Sequence, residues 1–471
     1  MKRIAIIGAG ISGLTCALRL EELRKQHRAD MEVSVYEAAP RAGGAIETET
    51  RDGFTLEKGP DSFISEKPSV LDLCQRLGID SEVLDTQENN RKAFVIKNGR
   101  PIRLPDGFYL IAPTRLASLA FSPLFSPLGK IRIASEFFIP RKKTDTDESI
   151  ASFVRRRFGQ EALERVGQPM IAGVYSGDPE QLSLSSTMPK FRDLESRHGS
   201  VIRGLLRNAK EHHLTKKVSG PRYGLFLSFT GGMETLVSAC VTRLPKENIH
   251  LGSRIKIRSG DMPGKWVVTD LQGREKSFDA ICLSVSAKGA SAILKDVDPS
   301  IAGKLGELHY ESVATLNIAY KRTQIAHALD SFGLVVPVVE KRSLMACTFT
   351  SQKYKGRAPE GTVLLRAFVG GAFGKKFFDM DDAELQKHVS LDLKEFLGIS
   401  GEPLFCSLSR YPGSLPQYSV GHTEWVAGVD HALQGHAGIF LTGASYRGTG
   451  ISSCVLDAER QAEAIRRYFY P

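Results

Sequence analysis

The chain has 471 residues, too many for one hydrophobic core, so two or three domains are expected. Its 42% hydrophobic and 25% charged residues are ordinary for a globular protein, and no apolar run approaches the roughly 20 residues needed to span a bilayer, which argues against a transmembrane helix. The 63 basic and 53 acidic residues leave a net charge of +10 that asks for an anionic partner, a membrane surface or an acidic small molecule; no RNP, helix-turn-helix or zinc pattern points to nucleic acid.

The first element is a short strand, Ile4-Ala5-Ile6-Ile7, running into Gly8-Ala9-Gly10-Ile11-Ser12-Gly13 and a helix from Leu14 to about Gln26. A second strand, Val33-Ser34-Val35-Tyr36, ends on Glu37. In that frame the glycines form a dinucleotide fingerprint. Gly8 allows the tight turn, Gly10 lets backbone N–H groups approach a pyrophosphate, and Gly13 lets the helix pack on the strand, so the anion meets the helix's positive end. Glu37 is placed to accept hydrogen bonds from ribose hydroxyls and to repel a 2′-phosphate. Met1-Lys2-Arg3 before apolar residues imitates a signal peptide, but Gly8 interrupts the run, and a cytoplasmic protein is predicted. The seven cysteines are scattered without a CxxC pair and read as buried thiols, with no metal site.

Beyond Glu37-Ala38 comes Arg41-Ala42-Gly43-Gly44-Ala45-Ile46-Glu47-Thr48, a second glycine pair for which a nicotinamide dehydrogenase has no use. Gly8 to Thr48 resembles the amine oxidase and porphyrinogen oxidase superfamily of FAD enzymes, in which an Arg-x-Gly-Gly-x-x-x-Thr stretch wraps the pyrophosphate and ribityl chain. The resemblance implies FAD as cofactor. It also sets the strand end at Gly59-Pro60-Asp61-Ser62, after Phe54-Thr55-Leu56-Glu57, beside the flavin ring; a helix then runs from about Pro68 to Leu77. Ala93 to Pro105 reads as a hairpin turning at Asn98-Gly99, where a second domain begins. Phe108 to Pro140 is apolar and ends in Arg141-Lys142-Lys143, read either as a surface that docks in lipid headgroups or as an internal helix pair. The clusters Arg155-Arg156-Arg157 and Lys216-Lys217 read equally as solvated faces. Asp147-Glu148-Ser149 caps a helix over Ile150 to Phe158.

Met170 to Ser183, Gly59 to Phe63 and Arg197-His198-Gly199-Ser200 are similar to the substrate-binding signature of protoporphyrinogen oxidases. Thr230-Gly231-Gly232-Met233-Glu234-Thr235-Leu236 is a loop and helix that in this superfamily precede a strand pair, here Asn248 to Leu251 and Arg254 to Ile257, with the Ile255 backbone pairing with adenine by resemblance. Trp266 to Thr269 forms a hairpin, and Phe278 to Ser284 a buried parallel strand. Between about Ala302 and Arg410, strands such as Val313 to Tyr320 and Thr362 to Val369 suggest an antiparallel sheet suited to flooring a pocket. Tyr411 to His422 is similar to a segment beside the isoalloxazine. A last strand, Ile439 to Thr442, delivers Gly443-Ala444 and the turn to Gly450-Ile451 at the head of the final helix, whose N–H groups would face flavin oxygens. Ala444 stands where many flavoproteins carry an acidic residue, as is usual in the porphyrinogen oxidase branch.

The predicted fold is therefore α/β: a two-dinucleotide-binding, Rossmann-like FAD domain (1–88, 229–300 and 437–471), an inserted α+β substrate domain (89–105, 185–228 and 301–436) and a helical, membrane-associating segment (106–184). The resemblance implies an oxygen-dependent oxidase of heme biosynthesis that converts protoporphyrinogen IX, or alternatively coproporphyrinogen III, to the porphyrin in three two-electron steps with O2 giving H2O2. A flavin amine oxidase and a flavin-bound interaction protein are the competing readings. No acid–base or nucleophile constellation is needed, since the cofactor carries the chemistry; pyrrole protons would leave to nearby backbone carbonyls, with Gly173 a candidate, or to water. By residue-level resemblance Met170, Gly173, Phe332, Val335 and Phe368 line the ring pocket, and Arg91 or Lys92 meets a propionate. Expected partners are the tetrapyrrole, O2, ferrochelatase and the cytoplasmic membrane face, for a monomer or homodimer.

Overall fold

Hydrophobic strand, glycine turn and helix recur at both ends of the chain, and in the computed structural model the two units share one sheet. The structure describes residues 1–90, 92–114, 116–215, 225–262 and 264–471; Arg91 and the Lys216-Lys217 pair lie outside the described residues. Five parallel strands stand in the order Ile249–His250, Met31–Tyr36, Lys2–Ile7, Ala280–Leu283 and Ile439–Leu441. The central strand is buried from Ile4 onward, as a strand covered on both faces must be. Helices Ile11–His27 and Ile451–Phe469 pack against each other on one face.

Two boundaries differ from the sequence reading. Asn248 to Leu251 and Arg254 to Ile257 do not pair with each other. Ile249–His250 edges the parallel sheet, while Ile255–Ser259 joins Trp266–Asp270 and Glu275–Phe278 in a separate antiparallel sheet. Phe278 to Ser284 is also two strands, because the backbone breaks at Asp279, whose carboxylate accepts the Arg3 N–H at 2.8 Å and pairs with Lys265. Apolar runs of this kind carry no periodic signal for where one sheet ends and the next begins.

A seven-stranded mixed sheet forms the second layer, ordered Phe405–Pro416, Tyr310–Lys321, Thr362–Gly370, Ala346–Thr348, Gly333–Val335, Phe94–Lys97 and Arg100–Arg103. The last two are the expected hairpin, turning on Asn98 (φ 52°) and Gly99 (φ 71°), both left-handed as a type I′ turn requires. One pairing departs from the antiparallel expectation: Gly333–Val335 runs parallel to Phe94–Lys97. One face of this sheet, with Leu316, Ile318, Leu334, Cys347, Leu365 and Ala367, packs on helix Asp382–Leu397. The other face looks toward the dinucleotide unit.

Helices from 116 to 215 enclose a third core, in which Phe153, Val154 and Phe158 meet Phe191, Leu194, Val201 and Ile202. Helices Pro189–His198 and Val201–Thr215 thus share the helical core, although the sequence reading groups 185–228 with the sheet. Ser149 caps Ile150–Phe158 as expected, its hydroxyl accepting the Ser152 N–H at 3.1 Å. Among the described residues no helix is long and apolar enough to cross a membrane.

Candidate active site

The geometry begins at two helix N-termini. Gly10 and Gly450 stand at the N-caps of Ile11–His27 and Ile451–Phe469; neither helix has a side-chain cap or an acidic residue in its first turn. A Cβ on either glycine would meet nothing within 4 Å. Two uncapped positive helix ends opening onto free space make a cradle for a diphosphate. The glycines around them are packed instead: a Cβ on Gly13 would lie 1.9 Å from the Gly8 carbonyl oxygen. Gly43 donates its N–H to the Ala9 carbonyl at 2.8 Å, laying the second glycine pair across the first, and Ser284 Oγ is buried there without a partner among the described residues. Arg41 turns back on its own loop, donating to the carbonyls of Ala42, Gly44 and Ile46 and pairing with Glu47, so it braces the loop.

Glu37 Oε2 accepts the Ala9 N–H at 2.7 Å and Oε1 the Ala39 N–H at 2.8 Å, with Ala38 between. Each oxygen keeps lone-pair capacity for a ribose hydroxyl. Ser253 and Gly252 donate to the carbonyls of Glu37 and Ala39, so the strand headed by Ile255 lies over the same end. Glu37→Ala is expected to weaken FAD binding by roughly 1.5–3 kcal/mol, about ten- to a hundredfold, in a fluorescence titration of apoprotein.

At the opposite end of the cradle, Tyr418, which sequence reasoning did not single out, donates its hydroxyl to the Ala444 carbonyl at 2.7 Å and accepts the Gly448 N–H at 2.8 Å. Burial pushes its phenol well above the ordinary range, so it stays a neutral donor. Asp457 accepts from Thr442 Oγ1 at 2.8 Å and the Gly443 N–H at 3.3 Å, fixing the turn from below. Neither role has a local signature, because each partner lies ten or more residues away.

Strand register assembles the rest. Val335 pairs with Ala346, Ala346 with Phe368, Phe368 with Thr315 and Thr315 with Ser409, giving one lateral row of side chains on the face toward the dinucleotide unit; Tyr411 lies two residues along from Ser409. The site of a Cβ on Gly173 is 3.8 Å from Val335 Cγ1, and Met170 and Val335 both pack on the helical core, so helix Gln168–Tyr175 faces this row. The Phe332 N–H donates to the Lys92 carbonyl at 2.9 Å, bringing those two together at the sheet's far side. At the near side lies Gly59, where a Cβ would sit 1.6 Å from the Ala45 carbonyl oxygen, so the strand end is pressed onto the glycine loop. Asp61 follows in an ion pair with Lys353 at 2.9 Å, and Ser62 Oγ donates to it at 2.8 Å. The neighbouring cations hold the Asp61 carboxyl well below the usual range against the pull of burial.

A parallel dinucleotide unit, two open helix ends and a mixed sheet laid beside them define a dinucleotide-binding protein of mixed α/β fold. Residues 11–466 match the family described as flavin containing amine oxidoreductase, and the chain belongs to that family. It is 32% identical over 456 residues to the coproporphyrinogen III oxidase of Bacillus subtilis, covering 96% of both chains, and 27% identical to the mitochondrial protoporphyrinogen oxidase of Nicotiana tabacum, covering 99% of this chain and 95% of that one. A crystal structure from Exiguobacterium sp. 255-15 superposes with a TM-score of 0.86 at 28% identity, over 100% and 99% of the two chains. The protein is an oxidoreductase, and its cofactor is FAD.

Proposed function

We propose that the protein oxidises a porphyrinogen to the porphyrin. The observation that carries this is the row Val335, Ala346 and Phe368, an apolar floor three strands wide that runs on to Thr315 beneath the strand end at Lys58, faced by the helix bearing Met170 and Gly173. A macrocycle needs a wide apolar slot, whereas a small amine needs a narrow aromatic cage. The names of the relatives divide between coproporphyrinogen III and protoporphyrinogen. Both substrates lay the same ring on such a floor and differ only in peripheral groups, so the proposal is made for the ring.

In this reading Gly8, Gly10, Ile11, Ser12 and Gly13 hold the diphosphate with Gly443, Gly450 and Ile451, Glu37 holds the ribose, and Gly43, Gly44, Gly59, Pro60 and Tyr411 shape the ring site. FAD, when bound, would supply a two-electron acceptor that O2 can reoxidise. The apolar row excludes water and orients the macrocycle, Lys92 beside Phe332 offers a cation to a propionate, and Gly173, in the last turn of its helix where carbonyls lack intrahelical partners, offers an acceptor for a pyrrole proton. Aerobic assay of the holoenzyme with each porphyrinogen should give porphyrin fluorescence with three equivalents of peroxide. Peroxide from putrescine or benzylamine, with none from either porphyrinogen, would replace the proposal with an amine oxidase.

Peripheral membrane contact belongs to the same reading. Leu128 and Ile131 on the helix Pro127–Ala134 and Phe138 in the turn after it are 80%, 66% and 88% exposed, shortly before Arg141-Lys142-Lys143 in the chain. Flotation with anionic phosphatidylserine vesicles should carry the protein up. Leu128→Ser/Ile131→Ser/Phe138→Ser is expected to weaken that binding at least a hundredfold, at roughly 1.5–3 kcal/mol per side chain. Wild-type protein that stays with the soluble fraction would remove the membrane contact.

A further inference from the structure

A knot of buried charge lies behind Gly59. Arg366, in strand Thr362–Gly370, is 2% exposed. Its Nη2 donates to the carbonyls of Lys58, at 3.2 Å, and Gly59, its guanidinium carbon lies 4.8 Å from the Phe368 ring centroid, and its Nε finds no partner among the described residues. Thr315 Oγ1 donates to Lys58 O at 2.9 Å and Asn317 Nδ2 to Glu57 O at 3.0 Å, so three side chains of the sheet grip consecutive carbonyls of one strand end. Lys353 and Arg357 lie alongside, Lys353 on Asp61 at 2.9 Å and Arg357 at 4.0 Å from Glu57. The knot therefore holds three cations, Arg366, Arg357 and Lys353, against two carboxylates, Glu57 and Asp61.

A buried cation in excess is expensive to keep; Arg357 is held by Ser228 Oγ and the carbonyls of Phe229 and Thr230, while Thr315 and Asn317 already pin two of the three strand-end carbonyls without a charge. The excess lies against the turn that the function proposed above sets beside the flavin ring, and the Gly59 carbonyl, whose negative end would otherwise be free to face that ring, points to Arg366 instead. Two-electron, one-proton reduction of the ring leaves it with one more negative charge. A positive potential therefore favours the reduced form.

We propose that Arg366 is a positioning residue that fixes the Gly59-Pro60 turn and, with Lys353, supplies the positive potential that raises the flavin's reduction potential. The inference rests on the flavin-site reading above. It is tested on holoenzyme by dye-equilibrated reduction potential and by sulfite binding, followed as loss of flavin absorbance, a readout independent of turnover. Arg366→Met should lower the potential and weaken sulfite binding about tenfold, the order expected for one buried charge acting at a distance on the ring. Arg366→Lys should recover most of the loss. Asp61→Asn, which removes an anion, should move both readouts the other way, and Lys353→Met should match Arg366→Met if the latter fails to fold. A merely structural role would move all variants in one direction or none. Unchanged potentials in flavin-loaded variants would overturn the inference and leave the flavin site standing; wild-type protein unable to hold FAD would instead remove the reading beneath it.

Discussion

Gly10→Ala and Gly13→Ala are both expected to purify without flavin, and for different reasons. A methyl group at Gly10 meets nothing within 4 Å, and the backbone there (φ −69°, ψ 175°) suits alanine, so the fold is untouched. The methyl instead takes the space a pyrophosphate must enter. A methyl at Gly13 would lie 1.9 Å from the Gly8 carbonyl oxygen and 3.2 Å from Ser284 Cβ, which forces the helix off the strand turn. Gly10→Ala should lose at least a hundredfold in FAD affinity, about 2.7 kcal/mol, with an unaltered thermal midpoint of the apoprotein. Gly13→Ala should lose the flavin and also lower the midpoint. Flavin-to-protein ratio after gel filtration, with calorimetry of the apoproteins, separates the two; full flavin occupancy in Gly10→Ala would contradict the cradle.

Glu136→Ala should produce the largest loss of stability, roughly 3–5 kcal/mol, because it leaves a buried guanidinium with only Glu195, at 3.4 Å, as counter-charge. Glu136 and Arg157 are both wholly buried and form an ion pair. Glu136 also accepts from Ser200 Oγ and from the N–H groups of Val201, at 2.8 Å, and Ile202, at 3.3 Å, capping helix Val201–Thr215. Arg157 reaches the carbonyls of Ile139, at 2.9 Å, and Gly199, at 3.1 Å. One pair thus joins the turn at 135–138, the helix Ile150–Phe158 and the start of the next two helices. Arg157→Met/Glu136→Leu together should recover much of the loss, since neither charge is then left alone. Urea titration of the three proteins checks the order; a double variant as unstable as Glu136→Ala would show that the capping of Val201–Thr215, and not charge burial, dominates.

What the sequence made legible was local. The turn Gly8 to Gly13 is short-range chemistry between a strand and the helix it feeds, and Asn98-Gly99 declares its hairpin by the left-handed backbone only such residues take easily. The floor of the site was legible in kind, from the alternation in Val313 to Tyr320 and Thr362 to Val369. It was not legible in register, because the row Val335, Ala346, Phe368 and Thr315 comes from four strands whose lateral order differs from their order in the chain. Arg366 did leave a signal, a lone charge among Leu364, Leu365, Ala367 and Phe368, but its meaning depends on Gly59, some three hundred residues earlier. Tyr418 and Asp457 escaped for the same reason: each acts by a hydrogen bond to a turn it does not adjoin.

The central claim is that this fold holds FAD against a floor sized for a tetrapyrrole, and anaerobic titration of the purified holoenzyme with coproporphyrinogen III and, separately, protoporphyrinogen IX tests it most directly. The expected result is bleaching of the flavin absorbance by at least one of them, three flavins reduced for each porphyrin formed. A yellow protein that keeps its full absorbance with both, or a colourless one that takes up no FAD, would contradict it.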